Sequence, residues 1–195
     1  AFMNAWMTQP GYPVVSVSQQ GTTVTLSQKQ FFIGPSEDKS RLWPIPLHGV
    51  TDEIPEMLHA AETSFEYTGS AAPRLNKEGT AHFVSHYEPE LLAKIILDLE
   101  NLSTVDRLNF LNEQTLLAQA GIQTTAALVP LLLQFKNETN EAVWSIVAMA
   151  VNELKRFVET DDAAETSLKH YVRELAEPQY ARLGWDSIEG EDEND

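Results

Sequence analysis

The chain has 195 residues, enough for one ordinary domain or two small ones at roughly 150 residues per domain, and its 43% hydrophobic and 22% charged residues suit a folded chain with a core, not a disordered one. Its 29 acidic against 13 basic residues give a formal charge of −16, which repels a nucleic-acid backbone or an anionic lipid face and argues against both as main partners. The absence of cysteine excludes disulfide frameworks, thiolate zinc sites and cysteine nucleophiles, and suits a reducing compartment.

Phe2, Met3, Trp6 and Met7 stand at spacings that fit the last turns of a helix, so the chain reads as cut from something longer. No charged, apolar and small-residue regions follow one another as in a signal peptide. From Tyr12 to Tyr87 the residues are rich in Val, Thr, Ser, Phe and Tyr and broken by Gly and Pro, which predicts strands and turns. Val15 and Val17, then Val24 and Leu26, alternate with small polar residues around Gln20-Gly21, the pattern of a hairpin with one buried face. Further strands are expected at Gln28–Ile33, Leu42–Leu47, Thr63–Tyr67 and Ala81–Tyr87, with Pro44 and Pro46 keeping theirs at an edge or short. The expected architecture for this part is a small β-sandwich.

After Pro89 the period changes to that of helices. Leu91, Leu92, Ile95, Ile96 and Leu99 share one face, and Ser103-x-x-Asp106 resembles a capping box that starts a second helix ending near Gly121. A third helix opens at Thr124 or Thr125 and must place Pro130 in its first turn or at a kink. A fourth, Asn140–Glu159, carries Trp144, Val147, Ala148, Val151, Leu154 and Val158 as its stripe, and a fifth buries Leu168, Tyr171, Val172 and Leu175. Short connections make these antiparallel helical hairpins, the start of an α-superhelical array. The longest near-apolar stretch, Ala126–Leu133, is far short of the roughly 18 residues of a membrane span. Charge follows the same division: residues 1–88 carry 5 basic and 9 acidic side chains, residues 89–195 carry 8 and 20. Six of these acids, from Asp186 to Asp195, make an acidic connector that is better read as solvated than as a cation site.

The sequence offers little chemistry. His82-x-x-x-His86 has the spacing of a zinc pair on a helix, but its surroundings are strand-like, and on a strand residues four apart lie about 13 Å from each other at roughly 3.3 Å per residue. His48, His59 and His170 read as structural. Asp161-Asp162 and Glu37-Asp38 read as solvated loop acids, and Trp6, Trp43, Trp144 and Trp185 as core anchors without interleaved basic residues. No G-x-S-x-G elbow and no glycine-rich phosphate cradle occurs, so no catalytic or metal-binding residue is assigned.

Read together, several stretches resemble a known family. Trp6-Met7-Thr8-Gln9-Pro10-Gly11-Tyr12-Pro13-Val14-Val15 resembles the W-x-x-Q-x-G-Y-P-V-V segment at which the catalytic domain of M1 zinc aminopeptidases hands over to a β-sandwich domain. Trp43-Pro44-Ile45-Pro46-Leu47 is similar to the family's W-x-I-P-L strand, and Leu75-Asn76 with Thr80-Ala81-His82-Phe83 resembles the aminopeptidase N (lysyl aminopeptidase) branch of lactic acid bacteria. Leu102-Ser103-x-x-Asp106-Arg107, Ala118-x-Ala120-Gly121, Phe135-Lys136-Asn137-Glu138-Thr139-x-x-x-Val143-Trp144 and Tyr180-x-x-Leu183-Gly184-Trp185 resemble the family's C-terminal helical domain.

The resemblance implies a cytoplasmic parent enzyme that removes N-terminal amino acids from peptides. Zinc on an H-E-x-x-H helix plus a further Glu would polarise the scissile carbonyl and activate water. A G-x-M-E-N segment would bind the free amine and a Tyr would stabilise the oxyanion. None of these motifs can be placed on this chain. The implied division is the tail of the catalytic domain and a connector at 1–12, the β-sandwich at 13–88, and the first part of the helical domain at 89–195. The fragment would brace the catalytic domain and help roof the substrate cavity, itself holding no zinc and packing on the missing catalytic domain and remaining helices. Surfaces that faced those parts should be apolar and drive weak self-association. The competing expectation is an interaction scaffold of the same architecture whose parent has lost the zinc site.

Overall fold

Alternating apolar and small polar residues build the first hairpin. In the computed structural model, which describes residues 2–34, 36 and 40–184, strand β1 (Pro13–Gln20) pairs antiparallel with β2 (Thr23–Gln30) across a two-residue turn whose Gly21 has φ +60. Val15, Val17, Val24 and Leu26 are buried on one face, as their spacing predicts. Strand β5 (Glu62–Glu66) extends the sheet antiparallel to β2, and β6 (Val84–Tyr87) joins β1 in parallel, so the order is β5-β2-β1-β6. A second, two-stranded sheet pairs β3 (Ile45–Pro46) with β4 (Met57–Leu58).

Three expected strands differ. Gln28–Gln30 completes β2 instead of starting a new strand, the Leu42–Leu47 segment forms a ladder only over β3, and Ala81–Tyr87 is strand only from Val84, as β6. The second difference has a plain cause, because Pro44 and Pro46 bring no N–H to a ladder. Gln28 supplies the missing partner. It lies on the buried side of β2, in step with Val24 and Leu26, where an apolar residue is expected, and is 3% exposed. Its amide donates to the carbonyls of Trp43 and Ala60, each at 3.0 Å, and accepts from the Trp43 N–H at 2.9 Å. One side chain thus does for Trp43 what a neighbouring strand would do, and holds the second sheet to the first.

The helices α1 (Phe2–Thr8), α2 (Pro89–Leu97), α3 (Thr104–Gln119), α4 (Leu128–Leu132), α5 (Glu141–Val158) and α6 (Asp162–Leu183) are those of the described residues, so a mixed β part is followed by a helical array. The chain divides into two compact units, Ala1–Asn109 and Phe110–Asp195, with the division inside α3. Pro130 falls in the first turn of α4, where its missing N–H costs nothing, and short 3-10 turns flank that helix. Gly121, at φ +68, lets the Ile122 N–H reach the Leu117 carbonyl and stops α3.

Asn140 caps α5 with its side-chain oxygen, which accepts from the Ala142 and Val143 N–H groups at 3.0 and 3.3 Å. Asn140→Ala is expected to cost about 1 kcal/mol, read as a lowered denaturation midpoint of the helical unit. The buried stripe of α5 is Val143, Val147, Ala150, Glu153 and Leu154, one position around from the expected one, and Ala148 is exposed. On α6 only Leu175 of the four expected residues is buried, because Leu168 and Tyr171 instead line an open groove.

Candidate functional site

The two histidines with metal spacing go to different partners. His86 lies in β6 with Nδ1 3.3 Å from Ser16 Oγ on the neighbouring strand, and burial pushes its pKa down, so the ring is neutral at pH 7. His82 precedes the strand and packs its ring on Tyr12 and Trp6, at centroid distances of 4.6 and 6.4 Å. Among the described residues no three His, Asp or Glu side chains converge as metal ligands. His48 hydrogen-bonds Thr80, while His59 and His170 are exposed.

The other candidates are structural. Asp161 is the N-cap of α6, accepting from the Ala163 and Ala164 N–H groups at 3.0 Å, and Asp162 opens the helix. Trp43 is fully buried, Trp6 donates to the Pro44 carbonyl at 3.1 Å, and Trp144 donates to the Glu138 carbonyl at 2.7 Å. Glu37-Asp38, Trp185 and the acidic connector lie outside the described residues.

Two features escaped the sequence reading. The first is an apolar groove of about 710 Å³ in the helical unit, between the end of α5 (Leu154, Phe157, Val158), the start of α6 (Ala164, Ser167, Leu168, Tyr171) and the segment Thr124–Val129. Phe157 on its rim is 67% exposed. Its signal in the sequence was an aromatic just off the expected stripe, next to Val158. Tyr171 Oη closes one wall by donating to the Val129 carbonyl at 2.6 Å.

Burial, with Glu174 adding to it, pushes the Tyr171 phenol up to about 12. A folded pKa above the unfolded one means that this stabilisation is complete below pH about 10 and lost as pH rises toward 12. Absorbance titration should show a late tyrosine ionisation near pH 12, and Tyr171→Phe should remove one tyrosine from that late step.

The second feature is a buried ion pair. Asp106 is the third residue of α3, and its N–H is capped by Ser103 Oγ at 3.1 Å, as the S-x-x-D pattern predicts. Its carboxylate does not turn back to close a capping box. It binds Arg74 at 3.0 Å and accepts from the Glu78 N–H at 2.8 Å. Burial alone would raise this carboxyl, but the Arg74 guanidinium, the Glu78 N–H and Ser103 together hold it below the usual carboxylate range.

The profile of the ERAP1-like C-terminal domain matches residues 74–195, from Arg74 of that ion pair through every helix after β6. The chain belongs to the ERAP1-like C-terminal domain family. Over its whole length it is 40% identical across 202 residues to Aminopeptidase N of Lactococcus lactis subsp. lactis. It is 36% identical across 201 residues to Aminopeptidase N of Lactobacillus helveticus, covering 99% of the chain. A more distant relative is Aminopeptidase A of Gloydius brevicauda, 28% identical over 96% of the chain. These agree with the resemblance read from the motifs. The chain spans about a quarter of the length of these curated relatives, 24% for both Aminopeptidase N proteins and 21% for Aminopeptidase A. Both the groove and Asp106 lie inside the stretch matched to the ERAP1-like C-terminal domain, whereas Gln28 and the first hairpin precede it.

Proposed function

We propose that this chain is a noncatalytic part of a zinc-dependent aminopeptidase of the M1 family that removes N-terminal amino acids from peptides in the cytoplasm. The observation that carries the reading is the similarity of the entire chain to Aminopeptidase N of lactic acid bacteria. The proposed division places the tail of the catalytic domain and its connector at 1–12, the β-sandwich at 13–88, and the first part of the helical domain at 89–195. In the parent, zinc supplies Lewis-acid polarisation of the scissile carbonyl. The donors of this chain do not fit that role: the sequence has no H-E-x-x-H, and His82 and His86 are engaged separately.

The work left to these residues is bracing and roofing. Phe2, Met3 and Met7 on α1 are exposed, and the groove beside Phe157 presents an apolar surface within the helical unit. Both are proposed to pack on other parts of the longer polypeptide: α1 on the catalytic domain, the groove on further helices.

The test compares this chain with a longer polypeptide that contains it. The chain alone should retain no zinc after dialysis and should not cleave an aminoacyl chromogenic substrate, while the longer protein does both. It should also self-associate weakly in sedimentation at micromolar concentration, and Phe157→Asp should reduce that association. Stoichiometric zinc with turnover by the chain alone, or a longer protein without H-E-x-x-H or activity, would overturn the proposal; the second outcome fits a scaffold instead.

A further inference from the structure

Backbone strain in the β unit is concentrated at one place. Four non-glycine residues among those described have positive φ, and three of them meet here: His48 at 42°, Asn76 at 54° and Glu78 at 60°. Gly79 adds a fourth left-handed residue at 61°. The segments are tied together, since the Asn76 N–H donates to the Leu47 carbonyl at 2.8 Å and the Lys77 N–H to the His48 carbonyl at 2.9 Å. A glutamate in the left-handed region has no local side-chain bond of the kind that helps Asn or Asp there, so Glu78 holds this conformation only because its surroundings impose it.

Two side chains do the imposing. Asp106 accepts from the Glu78 N–H at 2.8 Å and is itself held by Arg74 at 3.0 Å. Asn76 spans the loop, accepting from the Ala81 N–H at 2.8 Å and donating to the Ala81 carbonyl at 3.0 Å. Gly79 sits so close to α3 that a Cβ would stand 2.0 Å from Asn109 Nδ2. Lys77, Glu78, Gly79 and Thr80 are nevertheless exposed, and of the loop only Asn76 is buried.

We propose that residues Asn76–Gly79 form a strained latch, which the Asp106 carboxylate holds shut against the first turn of α3 and which opens locally while the sheet and helix around it stay folded. The start of the helix has a cap besides that carboxylate, because Ser103 Oγ accepts from the Asp106 N–H at 3.1 Å. Opening releases Glu78 to ordinary backbone space and frees the Gly79 and Ala81 amides, which donate to Asn76 at 3.0 and 2.8 Å when the latch is closed.

Amide hydrogen exchange in the full 195-residue chain reads this directly. Asp106→Ala should speed exchange at Gly79 and Ala81 by roughly tenfold or more, with the β1–β2 ladder amides unchanged, as expected of local and not global opening. Glu78→Gly, which relieves the left-handed residue, should slow exchange at the same two amides by roughly threefold. Uniform acceleration across the sheet in Asp106→Ala, or no change at Gly79 and Ala81, would overturn the latch. Should Asp106→Ala fail to fold, Glu78→Gly decides alone: slower exchange supports the latch, and unchanged or faster exchange refutes it.

Discussion

Gln28→Leu should destabilise the β unit by roughly 3 kcal/mol, because three hydrogen-bonding groups around Trp43 and Ala60 lose their partner at once. Leucine suits the apolar side of β2 by volume and by pattern, and a reading of the strand alone would rate it an improvement. The cost comes from elsewhere. Pro44 and Pro46 prevent the Trp43 segment from joining a continuous ladder, so the Trp43 N–H and carbonyl, buried against β2, depend on the Gln28 amide. Each buried group left unpaired costs about 1–3 kcal/mol. The expected readout is a drop in melting temperature of roughly 15 °C for a unit of this size, with reduced near-ultraviolet dichroism from Trp43. A loss below about 0.5 kcal/mol would mean that other groups or water satisfy Trp43 and that Gln28 does not hold the sheets together.

Leu132→Ala should cost the helical unit about 3 kcal/mol. The helix that carries it, α4, has only five residues, too few for any helix to persist by its own hydrogen bonds. What keeps it in place is the burial of Leu128, Leu131 and Leu132, the first and last of them fully buried. Removing three carbons from the end of that anchor leaves a cavity that the flanking 3-10 turns must collapse to fill. The effect should reach the groove, since the Val129 carbonyl on α4 is the acceptor for Tyr171. Two measurements therefore belong together. Chemical denaturation should show the loss in stability, and absorbance titration should show the late tyrosine moving down from about 12 toward an ordinary phenol. A stability loss without that movement would mean that α4 and α6 are held independently.

These expectations differ in how far they were visible beforehand. The hairpin of β1 and β2, the start of α5 at Asn140, the stop at Gly121 and the tolerated position of Pro130 all follow from residues within a few positions of one another. Amphipathic spacing placed the helices well but rotated the stripe of α5 by one position, because Glu153 is buried beside Gln119, its partner at 3.3 Å. Charged residues are discounted as core in any periodicity argument, and this one is stabilised by a partner on another helix. For the candidate site, the spacing of His82 and His86 was legible and so was a strand there, but the strand begins at Val84, so only His86 lies on it. The groove was not, since an open apolar surface is made by elements that meet only in three dimensions.

Alternation, helical period, caps and charge thus determined by themselves that strands precede helices, and the ordered motifs determined the family. The tertiary structure alone decided what the polar residues inside that frame do. Gln28 binds Trp43 across 15 positions, Arg74 binds Asp106 across 32, and Tyr171 binds Val129 across 42. The physical reason is that hydrophobic patterning and capping act over one or two turns of chain, whereas a buried hydrogen-bonding group must find its partner wherever the fold brings one.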